Sequence, residues 1–484
     1  MKRKLLCLLL AATALSGHPQ EVAKGSGTVV PQKGNFQKGD YGYLFCHMND
    51  RGRAWTAYAL SRDGLHYHDL LSGDSIFSDH QHARIEGATR DAYICRKHDG
   101  TGYLMACTDM NVGRFKELGK LEEWDNYGIT LLRSDDLIHW ESRSFDFRRG
   151  PSIFSDPQAP SVYRNWSTVN RVWAPQIMWD GDFLWPDGKR GAYFVYYSMW
   201  NRTEERYDRM YYSYADETFT RLSQPRLLFD WGYATIDADI NWVQADRQWH
   251  MMIKKEGGKP GLFTATAPAL TGPWSEPVED DYVSFEGNKK CEGVSAFQLA
   301  GHNDWMIGYI EYSSKPRNYR LCMADRYMRG FHSPRNIEGV ARPQHGSFLR
   351  LTKEEYERLQ RWSDAYEVVW FDGKAPITYS LPKKVEPVVK VALDMWKSDM
   401  QQVTGMTPVA STRATVKVIQ RNGPADGFRI YTKDNQIIIE GSDARGMAYG
   451  ILELSRMAGV SPWIWWGDIV PEKRQRLAVK RSEE

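Results

Sequence analysis

Three carboxylates stand at similar distances before apolar strands that open on an aromatic residue. Asp91 and Asp237 each lie 12 residues before such an aromatic residue, and Glu292 lies 13 residues before one. They lie in the segments RDAYI, TIDADI and CEGVSAF, and small or apolar neighbours flank Glu292. A carboxylate in such surroundings needs a partner or a function, because an unpaired buried charge is costly. The spacing predicts that the three carboxylates occupy the same place in a repeated unit.

Three gathered carboxylates suit the hydrolysis of a glycosidic bond. That reaction uses one protonated carboxyl group to donate a proton to the leaving oxygen, and a second group to activate water or to attack carbon. A third carboxylate can orient the acid and hold its pKa up, because like charges raise the pKa of at least one member of the group. We interpret Glu292 as the acid, Asp91 as the base and Asp237 as the modulator.

One strand pattern recurs five times along the chain. An apolar strand opens on an aromatic residue, and a second strand follows after a short gap; the openings are YLFCHM at Tyr43, YLMACT at Tyr103, YFVYYS at Tyr193, WHMMIK at Trp249 and WMIGYI at Trp305. The openings are 60, 90, 56 and 56 residues apart. Repeats of roughly 40–50 residues with four strands each are typical of propeller blades. The pattern predicts an all-β five-bladed β-propeller, with an ordinary β-sandwich as the alternative.

In a propeller the three carboxylates would fall on innermost strands, which line the central channel. The third repeat carries WAPQI, from Trp173, at this place. The first repeat has no such strand before Tyr43, so we expect QHGSFLRLT, after the fifth repeat, to close the ring and bring His345 to the channel. Five inner strands would then converge on one axis with His345, Asp91, Trp173, Asp237 and Glu292.

These segments resemble glycoside hydrolase family 43, whose members are five-bladed propellers. RDAYI at Asp91 is similar to the strand of that family's base, TIDADI at Asp237 to the strand of its modulator, and CEGVSAF at Glu292 to the strand of its acid. WAPQI and the HGS at His345 also match, and the resemblance covers the chain from about residue 35 to residue 352. It implies an inverting glycoside hydrolase, in which acid and base stand ~6.5–9.5 Å apart.

The chain departs from that family at two places. Ala92 stands where a proline usually follows the base, and Val294 stands where a proline usually follows the EG pair. A second aspartate, Asp156 in SDPQAPSV, has a family-like context, but it precedes Trp173 by only 17 residues. That distance is too short for an inner strand one blade earlier, so we favour Asp91 over Asp156 as the base.

Several further residues are candidates for holding the substrate. Trp173 and Trp231 could stack on a sugar ring, Arg90 and Arg342 could reach hydroxyl groups, and His345 could contact the sugar in the channel. Plain packing or salt bridging is the alternative for each. The resemblance places the histidine close to a bound calcium ion or water cluster. We predict no required cofactor and no firm metal site, with a structural Ca²⁺ in the channel left open.

The substrate class follows from the resemblance. The family's substrates include α-L-arabinofuranosides, β-D-xylosides, arabinans and some galactans, so we expect a plant polysaccharide or oligosaccharide. YALSRDGLHY and RDAYI look most like members that trim arabinose, which favours an α-L-arabinofuranosidase over a β-xylosidase. A non-catalytic glycan-binding propeller is the alternative. A fructosidase or sialidase type is disfavoured, because we find neither an N-terminal Asp motif with Asn and Pro nor an arginine triad with Asp-box turns.

Composition and the N-terminus set the broad class. The 484 residues are 42% hydrophobic and 26% charged, as in soluble globular proteins. A net charge of +2 gives no reason to expect a nucleic-acid partner or a membrane partner. MKRKLLCLLLAATALSG has a basic start, an apolar run too short to span a bilayer and small residues for cleavage. It predicts a secretory signal peptide at residues 1–17, and hence a periplasmic or extracellular protein.

The cysteine pattern argues against a metal site. Five cysteines remain after the predicted cleavage, scattered and without a CxxC pair: Cys46, Cys95, Cys107, Cys291 and Cys322. An odd number leaves at least one thiol outside a disulfide. We expect most of them to be small buried hydrophobic residues.

The pattern changes after LTKEEYERLQRW, which divides the chain into a propeller domain at 35–362 and an accessory α+β domain at 363–484. VEPVVKVALDMWKSDMQQVTG and ARGMAYGILELSRMAGV predict helices, VKVIQ predicts a strand, and GFRIYTKDNQIIIEGSD predicts a hairpin. IEGSDARGMAYGILELSRMAGVSPWIWWGDIVP resembles the small domain before the barrel of family 20 hexosaminidases and family 115 α-glucuronidases. Here only a charged tail follows Pro471, so we expect an accessory or interdomain role, with a sugar-facing surface at SPWIWWGD as the alternative.

Overall fold

The computed structural model describes residues 40–49, 55–77, 79–256, 261–277, 290–311, 313, 317–465, 467 and 469–481. The predicted signal peptide at residues 1–17 lies outside these residues, as does residue 35, where the predicted propeller begins. Among the helices of this part of the chain, none is long and apolar enough to cross a membrane. All five cysteines are buried, and none of them forms a disulfide within the described residues.

The propeller is built from strands β1 to β19. Their bounds are β1 (Asp40–Asn49), β2 (Trp55–Ser61), β3 (Tyr67–Asp69), β4 (Thr89–Arg96), β5 (Tyr103–Asp109), β6 (Gly128–Ser134), β7 (Glu141–Asp146), β8 (Val169–Leu184), β9 (Arg190–Asn201), β10 (Arg209–Ala215), β11 (Arg226–Phe229), β12 (Thr235–Val243), β13 (Gln248–Lys255), β14 (Gly261–Ala267), β15 (Cys291–Gln298), β16 (Trp305–Glu311), β17 (Asn318–Ala324), β18 (His332–Asn336) and β19 (Pro343–Thr352). A short helix α1 (Asp79–His82) lies between β3 and β4.

These strands form five antiparallel sheets, which confirms the five-bladed propeller. The strand orders are β19-β1-β2-β3, β4-β5-β6-β7, β8-β9-β10-β11, β12-β13-β14 and β15-β16-β17-β18 within the described residues. In each sheet the second strand is one of the five aromatic-opened apolar strands. These strands are almost entirely buried, because they have a neighbour on both sides and pack between adjacent blades.

The ring closes as the sequence predicts. β19, which contains QHGSFLRLT, pairs with β1 and is the innermost strand of the closing blade. Phe45 of β1 lies opposite Phe348 of β19, and their rings stack at a centroid distance of 4.5 Å. The last strand of the propeller therefore belongs to the same sheet as its first three strands. As the innermost strand of that sheet, β19 places His345 on the channel side.

The region after the propeller contains three described helices, of which α3 and α4 pack on a small sheet. Its elements are α2 (Lys353–Tyr366), β20 (Glu367–Phe371), β21 (Thr378–Ser380), α3 (Pro387–Thr404), β22 (Val409–Ala410), β23 (Val416–Gln420), β24 (Phe428–Lys433), β25 (Gln436–Gly441), α4 (Ala444–Met457) and β26 (Leu477–Lys480). The strand order of the main sheet is β22-β21-β23-β25-β24. Helices α3 and α4 share one apolar core with this sheet, with Trp396 and Ile451 fully buried in it.

The local elements of this region follow the sequence pattern. Helix α3 ends at Thr404 and is capped by Gly405, which takes a left-handed conformation with φ 77°. Strands β24 and β25 form the expected hairpin, and its turn residues Asp434 and Asn435 have φ of 50° and 59°. One expectation was wrong: the segment after Pro471 is more than a charged tail, because its β26 pairs with β20.

A buried carboxylate joins this region to the propeller. Glu367 accepts hydrogen bonds from the hydroxyl of Ser72 in the closing blade at 2.9 Å and from Ser363 of α2 at 2.7 Å. Arg476 donates to the same carboxylate at 2.8 Å. Since Glu367 is 1% exposed, these three donors satisfy a charge that would be costly to bury alone.

Candidate active site

The inner strands of four blades share one β-bulge, which decides which side chains reach the channel. In each, one extra residue enters the register against the neighbouring strand, between Arg90 and Tyr93, Trp173 and Gln176, Ile236 and Asp239, and Glu292 and Ser295. The first residue of each bulge has a positive φ, with values of 53° at Asp91, 47° at Ala174, 55° at Asp237 and 63° at Gly293. A bulge of this kind redirects a side chain and is frequent beside active sites.

The shared bulge corrects one expectation from the sequence. Asp91 and Asp237 occupy equivalent positions, but Glu292 lies one residue earlier, and Gly293 takes the bulge position in its blade. The difference between 12 and 13 residues in the spacing was the signal for this offset. The carboxylates therefore approach the channel from two adjacent backbone positions.

Asp91 is held by two partners in the channel. Its Oδ1 lies 3.2 Å from Nδ1 of His345, and its Oδ2 accepts a hydrogen bond from the hydroxyl of Thr108 at 2.7 Å. Burial alone would raise the pKa of Asp91, but the hydrogen bond and charge of His345, the charge of Arg90 and the Thr108 hydroxyl outweigh it and lower that pKa. Asp91 is thus held as a carboxylate, the form that can accept a proton.

Thr108 positions Asp91 and was missed by the sequence reasoning. Its oxygen donates to Asp91 and accepts a hydrogen bond from the backbone N–H of Ala174, in the next blade, at 2.8 Å. One hydroxyl therefore couples the bulges of two neighbouring blades. A threonine in a strand gave no signal in the sequence, because threonine is common in strands for its shape alone.

Asp237 lies beside Asp91 but has the opposite protonation preference. Its side chain is buried, and its Oδ2 accepts a hydrogen bond from the backbone N–H of Gly293 at 3.1 Å. Burial raises the pKa of Asp237, the charges of Glu292 and Asp91 raise it further, and His345 and Lys254 partly offset this rise, so that the pKa is about 7. The channel therefore holds a proton on a carboxyl group near neutral pH.

His345 supplies the positive charge among the carboxylates. Burial would lower the pKa of this histidine, but the charges of Asp237, Asp91 and Glu292 and the hydrogen bond to Asp91 raise it to about 9. Its ring also contacts the bulge of the neighbouring strand, because a Cβ at Gly293 would stand 2.9 Å from Cγ of His345. The structure thus brings His345, Asp91, Asp237 and Glu292 together, as the sequence predicts.

Glu292 forms an ion pair that the sequence did not suggest. Nζ of Lys254 donates to Oε2 of Glu292 at 2.6 Å and lies 3.1 Å from Oε1 of Glu256. Lys254 is 6% exposed, whereas the Glu292 side chain keeps 35% of its surface open. The available signal was a lysine at the end of the apolar strand WHMMIK, where a solvated charge is not expected.

Two of the candidates for sugar binding lie at the channel end of the inner strands. Trp173 and Arg90 occupy the position equivalent to Glu292, one residue before the bulge. The guanidinium of Arg171 lies 4.5 Å from the ring centroid of Trp173 and so occupies one face of that indole. Arg90 lies 5.8 Å from the ring of Trp124, which is 43% exposed. Trp124 is therefore an additional aromatic candidate for stacking on a sugar.

Three other residues lie away from this cluster. Trp231 stacks on Phe229 of the outermost strand β11 at a centroid distance of 3.8 Å. Arg342 lines a cavity between the closing blade and the C-terminal region. Asp156 lies in the segment between β7 and β8, where its Oδ1 accepts a hydrogen bond from the backbone N–H of Gln224 at 2.7 Å.

His345, which the resemblance places near calcium, contacts a carboxylate in this structure. Calcium takes about six to eight oxygen ligands, whereas His345 turns its Nδ1 towards Asp91 here. Across the part of the chain that the structure describes, no three or more His, Cys, Asp or Glu side chains are placed to hold a metal ion. The structural Ca²⁺ left open by the sequence stays a prediction, and no step below depends on it.

Comparison with known proteins shows the family of the chain. A glycosyl hydrolase 43-related family, described as "Probable glycosyl hydrolase domain", matches residues 39–357. An α-L-arabinofuranosidase of Bifidobacterium longum subsp. longum is 22% identical over 307 residues, which are 57% of this chain and 26% of that relative. The chain therefore spans about a quarter of the length of the curated relative that it matches.

Two solved structures are also similar to parts of the chain. A thermostable family 43 glycoside hydrolase is 14% identical with a TM-score of 0.36, covering 53% of this chain and 78% of its own. A family 115 4-O-methyl-α-glucuronidase is 30% identical with a TM-score of 0.22, covering 22% of this chain and 17% of its own.

Proposed function

Since the chain belongs to the glycosyl hydrolase 43-related family, we propose that it is a glycoside hydrolase that removes α-L-arabinofuranosyl groups from plant polysaccharide with inversion. The observation that carries this proposal is the gathering of three carboxyl groups in one channel with different protonation. Asp91 is held ionised by His345, while Asp237 beside Glu292 holds a proton near neutral pH. An inverting hydrolase needs one carboxylate and one carboxylic acid at the same time.

In the proposed reaction, Asp91 acts on a water molecule and Glu292 acts on the glycosidic oxygen. The water gives a proton to Asp91 as its oxygen forms a bond to the anomeric carbon. The bond from that carbon to the glycosidic oxygen breaks, and the leaving oxygen takes a proton from Glu292. Attack opposite the leaving group inverts the anomeric configuration, and the two carboxyl groups end with exchanged protonation.

Asp237 serves this reaction as a neighbour of the acid that itself holds a proton near neutral pH. It accepts a hydrogen bond from Gly293, the residue next to Glu292, and its charge interacts with Glu292. Lys254 is paired with Glu292 in the free protein. In the proposed reaction the substrate displaces Lys254 from Glu292, which the partial exposure of Glu292 allows.

The choice of arabinofuranose is the finer part of the proposal. The Bifidobacterium longum relative is named an α-L-arabinofuranosidase, and the segments around Asp91 resemble members that trim arabinose. β-D-Xylose is the second candidate sugar. The exposed ring of Trp124 beside Arg90 offers either pentose an aromatic face next to the channel.

The test is the release of 4-nitrophenol from aryl α-L-arabinofuranoside and β-D-xyloside. We expect wild-type turnover that Asp91→Asn reduces by at least about 100-fold, and that Glu292→Gln reduces by a smaller factor because 4-nitrophenol needs little help from an acid to leave. Asp156→Asn is the matched control, because Asp156 accepts a backbone hydrogen bond outside the channel. Absence of turnover on both aryl glycosides and on arabinoxylan and arabinogalactan, with the protein folded, would favour the non-catalytic glycan-binding propeller.

We also propose that the protein is exported to the periplasm or the extracellular space, where polymeric substrate is found. The basic and apolar N-terminal segment supports this proposal. Fractionation of cells that express the full chain, compared with a chain lacking residues 2–17, tests it. Equal amounts of both proteins in the cytoplasm would contradict export.

A further inference from the structure

A second concave site lies outside the channel, between the closing blade and the C-terminal region. Its volume is about 770 Å³. β3 and the segment 338–342 form its propeller side, and the end of α4, the segment 473–476 and β26 form the other side. Ligand sites commonly enclose about 300–1,000 Å³, so this cavity is large enough for a sugar-sized group.

The lining of this cavity is strongly cationic. Two carboxylates, Asp69 and Glu338, face six cationic side chains: Arg342, Arg456, Lys473, Arg474, Arg476 and Lys480. Both carboxylates already have partners, because Asp69 accepts from the backbone N–H of Ala341 at 3.1 Å and Glu338 lies 3.5 Å from Nε2 of His66. The excess of positive charge is therefore not balanced within the cavity itself.

Half of the cations are paired with carboxylates and half are not. Arg456 pairs with Glu453, Arg474 pairs with Glu472 at 3.0 Å, and Arg476 pairs with Glu367 at 2.8 Å. The other three, Arg342, Lys473 and Lys480, form no ion pair with any residue that the structure describes, and each is exposed. Unpaired cations gathered in a concave site concentrate anions there, because the low-dielectric walls focus the field.

One residue of the cavity is close to the channel residue His345 along the chain. Arg342 has a positive φ of 49° and stands directly before β19, the inner strand that carries His345. Three residues of extended chain correspond to roughly 10 Å. An anionic group bound at Arg342 and a neutral sugar in the channel could therefore belong to one branched polysaccharide.

We propose that this cavity is a subsite for an anionic sugar of the polysaccharide substrate, bearing either a carboxylate or a sulfate group. The proposal rests on the glycosidase function above and extends it: the enzyme would remove a neutral sugar from an acidic polymer. Arg342, Lys473 and Lys480 would bind the anionic group, and the channel would hold the glycosidic bond that breaks. A carboxylate and a sulfate both accept charge-assisted hydrogen bonds from these groups.

Binding tests the subsite independently of catalysis. Affinity electrophoresis of the full protein in gels containing polygalacturonate, dextran sulfate or neutral arabinan compares the three kinds of polymer. The test variant is Lys473→Gln with Lys480→Gln; the matched control is Lys383→Gln with Lys384→Gln, which removes two exposed lysines of the same region outside the cavity. We expect the test variant to bind the preferred anionic polymer about tenfold more weakly than wild type, and the control and the arabinan gels to show no change.

The outcome on the two anionic polymers identifies the group. Weakening on polygalacturonate alone assigns a carboxylate, and weakening on dextran sulfate alone assigns a sulfate. Equal binding by wild type and test variant to both anionic polymers would overturn the proposal, and so would equal weakening in the control. Arg342→Gln extends the series on the propeller side of the cavity.

Turnover separates this inference from the function on which it rests. On an aryl α-L-arabinofuranoside the Lys473→Gln, Lys480→Gln variant should keep wild-type kcat/KM, whereas on a uronate-bearing arabinogalactan its KM should rise about tenfold. Carboxyl reduction of that polymer should abolish the difference if the group is a carboxylate. If no substrate is turned over but wild type and variant still differ in electrophoresis, the proposed function is contradicted and the subsite is not. If turnover is normal but wild type and variant do not differ in electrophoresis, the subsite is contradicted and the proposed function is not.

Discussion

Asp237 and His345 show how one channel keeps neighbouring groups in different protonation states. Burial and two carboxylates raise the pKa of Asp237 to about 7, while three carboxylates raise the pKa of His345 to about 9 in spite of burial. Asp91 stays ionised because His345 and Thr108 donate to it. The proposed roles of base and proton holder thus follow from which groups surround each carboxylate, and not from the residue type.

The pH dependence of activity should report the proton on Asp237. As pH rises through about 7, Asp237 ionises and the channel loses the proton that the acid requires, so kcat/KM should fall on the alkaline side. In Asp237→Asn the residual kcat/KM should no longer fall on the alkaline side, because the amide does not titrate. If kcat/KM of Asp237→Asn still falls near pH 7, the titrating group is not Asp237.

Lys254 should set the pH at which kcat/KM falls on the alkaline side, which is the alkaline limb of the pH profile. Its charge lowers the pKa of Asp237, so in Lys254→Met that pKa should rise and the alkaline limb of kcat/KM should move to higher pH. Lys255→Met is the matched control, because Nζ of Lys255 lies over the ring of Tyr233 at 4.2 Å. An unchanged limb in Lys254→Met, or an equal shift in Lys255→Met, would contradict this role.

At the scale of the strand, the shared bulge decides which side chains of the inner strands reach the channel. Ala174 and Gly293 occupy equivalent bulge positions with φ of 47° and 63°. The bulge therefore accepts a Cβ in one blade, but in the other blade a Cβ would stand 2.9 Å from Cγ of His345. Glycine is needed at residue 293 for the space that the histidine occupies as well as for its backbone conformation.

Gly293→Ala should therefore damage activity more than stability. We expect about 1–3 kcal/mol of destabilisation from the strained residue, and a loss of about 100-fold in kcat, because a displacement of about 1 Å at His345 misplaces the base. Ala174→Gly is the control and should stay active. Thermal unfolding and aryl glycoside kinetics of both variants check this; a Gly293→Ala enzyme with wild-type kcat would refute the role of the close contact.

The strands and their order could be predicted from the sequence, but the bulge and its partners could not. The aromatic-opened repeats and QHGSFLRLT indicate the blades and the closing strand, because burial dictates apolar runs there. The hydrophobic pattern does not reveal that Gly293, and not Glu292, is equivalent to Asp91, since a one-residue bulge leaves that pattern almost unchanged. The 13-residue spacing of Glu292, against 12 for the two aspartates, was the signal for this offset. Lys254 and Thr108 reach the site from neighbouring strands, and their roles depend on contacts that spacing along the chain does not show.

At the scale of the whole molecule, one ion pair fastens the ring where it closes. Arg96 of β4 donates to both oxygens of Glu355 at 2.6 Å and to the carbonyl of Arg350 in β19 at 2.8 Å. Tyr103 also donates to Glu355. The helix α2 and the closing strand β19 are thereby attached to the next blade through buried groups.

Breaking this pair should destabilise the propeller. Arg96→Met leaves a buried carboxylate without its cation, so the free energy of unfolding should fall by about 3–5 kcal/mol at pH 7. Lys374→Met, which removes an exposed pair with Asp372, should change it by no more than about 0.5 kcal/mol. Urea unfolding measures both values, and similar small losses in the two variants would contradict the fastening role.

The same pair predicts an acid dependence. Burial would raise the pKa of Glu355, but Arg96 and Tyr103 outweigh it and lower the pKa to about 2. A pKa below the ordinary value means that the pair stabilises the fold above about pH 4.5 and that this contribution is lost as pH falls towards 2. The loss of stability between pH 7 and pH 3 should therefore be smaller in Arg96→Met than in wild type.

The central claim is that Glu292 donates the proton to the leaving group in this channel. The most direct test compares Glu292→Gln with wild type on aryl α-L-arabinofuranosides whose leaving groups range from phenol to 2,4-dinitrophenol. A missing acid matters least for a leaving group that needs no proton, so we expect Glu292→Gln to approach wild-type rates with 2,4-dinitrophenol and to lose at least about 100-fold with phenol. The same loss with every leaving group, or no loss at all, would contradict this role of Glu292.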